Sequence, residues 1–136
     1  RYLGCQFLAG PCFSGSLDVS KRAFSRAVNC ILGKLGNSSH EDVIVNLIRT
    51  KCLPILLYGT ECLNLNKRSL ASLDFCVTRF IMKIFKTTNR LIIDDCLRYF
   101  NFSLPSVLVA RRTQRFLARL QLSARANALV LRFIEP

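Results

Sequence analysis

Phe24, Ala27, Val28, Ile31, Leu32 and Leu35 recur at steps of three and four residues, and that spacing decides what the chain can fold into. At about 100° per residue the six side chains form one stripe along an α-helix, whereas on a strand they would be scattered over both faces. Ser20 is a plausible N-cap for this helix and Gly36 its stop. Ser39-His40-Glu41-Asp42 resembles a capping box with Asp in the place of Glu, opening a second helix through Ile44, Leu47, Ile48 and Cys52. Pro54 should kink or interrupt that helix before Tyr58-Gly59. Asn66 can cap a third, with Leu70, Leu73, Val77, Phe80, Ile81 and Ile84 on one face. A short helix around 91–99 follows Asn89, and Ser103 with Pro105 starts another that runs to about Leu122. A last helical piece is expected over 124–134.

Only the opening residues 1–8 read as a strand, broken by Gly10-Pro11 and by Ser14-Gly15-Ser16. The expected fold is therefore mainly α: five to six helices in a compact bundle, preceded by one short N-terminal β-strand. Its parts are a strand and loop over 1–17, a helical domain over 18–122 and a C-terminal helical piece over 123–136. Arg1 without a Met, and Glu135-Pro136 within an apolar run, read as the ends of a fragment.

The net charge is +12, and it is uneven. Residues 1–66 carry seven Lys/Arg and four Asp/Glu; residues 67–136 carry thirteen and four. Between Asp95 and Glu135 stand seven arginines and no acid. Such a surplus favours an anionic partner, a nucleic acid or a membrane surface. No stretch reaches the ~18–20 uninterrupted apolar residues of a membrane span, so a soluble protein without a membrane role is expected. The seven cysteines lack zinc-type pairs and His40 is the one histidine, so neither a metal site nor a disulfide framework is expected. Cys30, Cys52 and Cys76 stand among apolar residues as small hydrophobes, which points to a reducing, intracellular compartment.

Arg79, Lys83, Lys86 and Arg90 fall on one stripe opposite the apolar one, with Arg90 at or just past the helix end. Like charges at this spacing repel by a few tenths of a kcal/mol per pair, a repulsion that polyanion offsets. Arg111, Arg112, Arg115 and Arg119 repeat the pattern on the Ser103 helix. Both stripes are candidate phosphate contacts; the alternative is a pair of solvated faces. Enzyme readings find less. His40 stands at a helix start among Ser38, Ser39, Glu41 and Asp42, a capping-region surface position. Gly33-x-x-Gly36 lacks the Lys-Ser/Thr of a phosphate loop. Phe24, Phe80, Phe85 and Phe116 are core candidates first and base-stacking candidates second.

The order of segments adds a resemblance. Tyr2-Leu3-Gly4 is followed by Lys21-Arg22-Ala23-Phe24, then by the eleven residues from Lys51 through Leu53-Pro54-Ile55-Leu56-Leu57-Tyr58-Gly59 to Glu61. Leu73-Asp74-Phe75 and Phe80-Ile81-Met82-Lys83-Ile84-Phe85-Lys86 come after. Over about 1–122 this order is similar to the stretch behind the catalytic palm in reverse transcriptases of non-LTR (LINE-type, jockey-like) retrotransposons. The resemblance implies that 1–17 ends a primer-grip hairpin, with Tyr2, Leu3 and Gly4 positioning the primer terminus, and that 18–122 is a thumb. It implies RNA template and DNA primer as partners, held through their backbones, and the upstream palm and fingers of the same polypeptide as a third. Localisation would be nuclear and cytoplasmic.

Polymerases of this kind hold two metal ions on palm carboxylates. The one Asp-Asp pair here, Asp94-Asp95, lacks the aromatic-small lead of such a hairpin and follows the thumb-like region. It reads better as helix acids complementing the macrodipole and Arg98. No catalytic residue or metal ligand is therefore assigned, and Mg²⁺ is expected only in the upstream palm. Alone, the chain should incorporate no nucleotide on primed RNA with Mg²⁺; templated extension would refute this. The rival reading is a stand-alone basic helical scaffold or protein-interaction domain.

Overall fold

A computed structural model of the chain describes residues 6–8, 14–35 and 40–124. The fold is mainly α. Helices α1 (Asp18–Leu35), α2 (Glu41–Leu47), α3 (Leu53–Leu56), α4 (Lys67–Ile84), α5 (Arg90–Tyr99) and α6 (Pro105–Ala124) follow a short N-terminal β-element. The expected helical piece at 124–134 and the triplet Tyr2, Leu3 and Gly4 lie outside the described residues, Ala124 aside. Strand β1 (Gln6–Leu8) is not alone: it pairs antiparallel with β2 (Ser14–Ser16), Phe7 opposite Gly15. Ser-Gly-Ser reads as a strand breaker in sequence, yet a two-stranded ribbon needs only its backbone N–H and C=O groups.

Helix α1 starts at Asp18, two residues ahead of the cap expected at Ser20. The Ser16 hydroxyl accepts from the Asp18 N–H at 3.3 Å and Asp18 places a carboxylate in the first turn, which holds the helix entrance earlier in the chain. Phe24 and Val28 are buried from this helix, with Ala27, Ile31, Leu32 and Leu35 packed around them. The edge of Phe24 meets the Phe80 ring of α4 at 5.4 Å and 79°. Cys52 is buried and Cys76 half-buried, as their apolar neighbours suggest, but Cys30 is exposed on the outer side of α1. Two residues beyond Val28, it falls about 200° around the helix, away from the core stripe.

Pro54 does not interrupt its helix. The chain runs from α2 through a wide π-turn, Ile48–Cys52, directly into α3, with the Leu53 N–H donating to the Ile48 carbonyl five residues back. On a regular helix counted from Ile44, Leu53 and Leu57 would lie about 180–220° away from the buried side. The one extra residue of the wide turn rotates them back by about 100°, so Ile44, Val45, Ile48, Cys52, Leu53, Leu56 and Leu57 all enter the core. The turn also places Pro54 at the start of a new helical segment, where its missing N–H costs nothing. Gly59, at φ 71°, then reverses the chain, and the buried Thr60 hydroxyl donates to the Leu57 carbonyl at 2.9 Å.

Asn66 caps α4, accepting from the Ser69 N–H at 2.7 Å, and Asn89 caps α5 through the Leu91 N–H. The box expected around Ser39 falls outside the described residues; the N-cap position of α2 is His40, which makes no side-chain cap. Helix α6 is held from a distance. The Asp74 carboxylate of α4 accepts from the Ser106 N–H at 2.8 Å, beside a buried Pro105 in the first turn. An acid at a helix N-terminus contributes about 1–2 kcal/mol, and this one locks α4 to α6.

Candidate nucleic-acid interface

The buried side of α4 carries Leu73, Val77, Phe80 and Ile81; Arg79 stands well away from it and Lys83 at its edge, both exposed. The helix stops at Ile84, so the stripe expected through Lys86 and Arg90 is not one helical line. Lys86 stands in the turn at φ 49°, where the Thr87 N–H reaches back to the Met82 carbonyl at 3.1 Å. Arg90 is the first residue of α5. All four side chains are exposed.

Three of them meet again at a recess of about 470 Å³ between α1 and the C-terminal end of α4. Arg79, Lys83 and Lys86 line it together with Thr87 and Thr88, and α1 supplies Ser25 and Asn29. The Lys83 Nζ donates to Asn29 Oδ1 at 3.2 Å, which fixes its direction. No acid is among the lining residues. Burial pushes the Cys76 thiol up, against a smaller opposite pull from Lys21 and Arg79. Burial alone raises the Cys52 thiol. In both, burial favours the protonated thiol over the thiolate.

The α6 stripe divides. Arg111, Arg115 and Arg119 are exposed at successive turns. Arg112, three residues after the buried Val109, is half-buried and donates from Nη1 to the Leu57 carbonyl at 3.3 Å, where α3 ends. Arg49 does the same for α5, reaching the Phe100 carbonyl at 3.3 Å. These two guanidiniums complement helix C-termini, Arg112 half-buried and Arg49 at the surface.

Asp94 and Asp95 are exposed and lie beyond the first turn of α5, so they sit deeper in the helix than the dipole-complementing position expected of them. His40 is exposed. Among the described residues no three His, Cys, Asp or Glu side chains come together to hold a metal ion. No helix among them is long and apolar enough to cross a membrane. Of the aromatic candidates, Phe24 and Phe80 are core, Phe85 stacks on Phe100 at 5.6 Å, and Phe116 is half-buried. Phe116 lines a second, more apolar cleft of about 800 Å³ that also receives Glu61, whose Oε2 is buried without a partner among the described residues.

Sequence reasoning passed over Phe75. It is 61% exposed, one turn before Arg79 on the same face, and a turn count from Arg79 would have found it. It passed over Ser25, Asn29, Thr87 and Thr88 as well, which carry no signal until α1 and α4 pack. Comparisons with protein-family models, curated proteins and solved structures found no match.

Proposed function

We propose that the chain is the non-catalytic, thumb-like part of an RNA-directed DNA polymerase of a non-LTR retrotransposon, and that it holds the template–primer by its phosphates. The observation that carries this reading is the gathering of Arg79 and Lys83 of α4 with Lys86 of the following turn along one recess beside α1. The segment order from Tyr2 to Lys86 supports the family. Helices α4 and α5 also open on cations, Lys67 and Arg68 in one and Arg90 in the other, with no acid in either first turn. A helix dipole disfavours a cation there by about 0.3–1 kcal/mol, a cost that a bound polyanion offsets. Phosphate contacts of this kind set position and carry no sequence information.

Changing Arg79, Lys83 and Lys86 together to Gln tests the reading. Each neutralised phosphate contributes about −0.9 to the log–log salt slope on duplex, so the triple variant should flatten it by roughly two to three units. Binding should weaken alike on every sequence. Folding should hold, since exposed substitutions of this kind stay within about 0.5 kcal/mol each. An unchanged slope on an RNA–DNA duplex would remove these residues from the interface. A protein-interaction scaffold would then lead, favoured by exposed Leu91 and Tyr99 on α5, at 73% and 81%.

A further inference from the structure

The recess between α1 and α4 differs from the rest of the basic surface. Arg111, Arg115 and Arg119 stand on a convex helix face, where a cation meets phosphate from one side only. The recess is lined by three cations and four neutral hydrogen-bonding side chains, with Phe80 and Met82 between them, in a volume within the range of small-ligand sites. Its parts are also prepared. Asn29 holds the Lys83 ammonium in place at 3.2 Å, and two further ammonium protons remain to be donated. The Thr87 hydroxyl oxygen accepts from the Asn89 N–H at 3.2 Å, which leaves its own O–H to donate elsewhere. The α4 C-terminus, at the recess, opposes an anion with roughly half an elementary charge. Three whole positive charges outweigh it.

We propose that this recess is a discrete phosphate-binding site, in which Arg79, Lys83 and Lys86 neutralise a single phosphate group and Thr87, with Ser25 or Thr88, donates to its oxygens. The inference rests on the reading above in taking the same three cations as phosphate ligands. It adds that one phosphate leaves the backbone track and enters a walled, saturable site. The phosphate can come from nucleic acid or from a small phosphorylated molecule.

The test titrates the whole chain with inorganic pyrophosphate and follows its backbone amides by NMR. Saturable shifts at Asn29, Lys83, Thr87 and Thr88 are expected, with the arginine face of α6 unmoved. Ser25→Leu, which fills the recess without changing any charge, should weaken pyrophosphate at least about tenfold, the loss of one charge-assisted hydrogen bond. Asn29→Asp, which sets a carboxylate against the anion, should do the same. An RNA–DNA duplex that moves the same four amides identifies nucleic acid as the source; a duplex that leaves them still identifies a small phosphate. Shifts that never saturate and spread along α6, or two variants that bind pyrophosphate like the parent, would overturn the site. A triple Gln variant that flattens the duplex slope while both recess variants bind like the parent removes the recess alone. Saturable pyrophosphate with an unaltered triple-variant slope removes the backbone reading alone.

Discussion

Raising the salt from about 50 to about 200 mM is expected to weaken binding of an RNA–DNA duplex to this chain by about 250- to 1,000-fold. The figure follows from four to six phosphate contacts, which give a log–log slope of roughly −4 to −5 over a fourfold change in salt. Seven exposed cations stand on the two candidate stripes: Arg79, Lys83, Lys86 and Arg90 around α4, and Arg111, Arg115 and Arg119 on α6. Arg112 is left out of that number because its guanidinium already donates to the Leu57 carbonyl. Fluorescence anisotropy of a labelled duplex across that salt range would check it. A change of threefold or less would mean that scarcely one phosphate is neutralised, and the basic faces would be solvated ones.

The same helices carry the largest expected effect on stability. Phe24→Ala should destabilise the fold by about 3–5 kcal/mol, through lost transfer energy and the cavity left behind. Phe24 is 0% exposed and its ring packs edge-on against Phe80, so little around it can close the gap. Small domains are stable by only ~5–15 kcal/mol, so this one change removes a large share. At a urea m-value of about 2 kcal/mol/M the unfolding midpoint should fall by about 2 M. Phe75→Ala, the same truncation on an exposed ring, should leave the midpoint within about 0.3 M of the parent. Equal midpoints for Phe24→Ala and the parent would show that the core is not where the structure puts it.

Helix positions were legible in the sequence because burial imposes a period, and the stripes at 24–35 and 70–84 carry it without interruption. The caps at Asn66 and Asn89 were legible because an N-cap acts within three residues. The start of α1 was not: Ser20 satisfies the capping rule, but the helix opens at Asp18, whose N–H is taken by the Ser16 hydroxyl. Effects that act across the chain left no local trace. The Asp74 carboxylate caps a helix that begins 31 residues later, and Lys83 is oriented by a residue 54 positions away. Of the two basic stripes, Arg79 and Lys83 share one helix, as do Arg111, Arg115 and Arg119, and all five are exposed. Lys86 and Arg90 lay past the helix end, where a 3.6-residue period has no meaning. Arg112 could have been separated from its neighbours, since it falls three residues after Val109 and four before Phe116, on the inward side of α6.

Two helix ends in this fold close in the same way, with one left-handed residue each. After α5 that residue is Asn101, at φ 48°, a type that tolerates the conformation. After α4 it is Lys86, at φ 49°, whose Cβ makes the same backbone costly by about 1–2 kcal/mol. Glycine would relieve that strain and would also remove one of three charges from the recess. On the proposed reading, position 86 is a point where fold stability and affinity for phosphate pull against each other, and lysine there favours affinity.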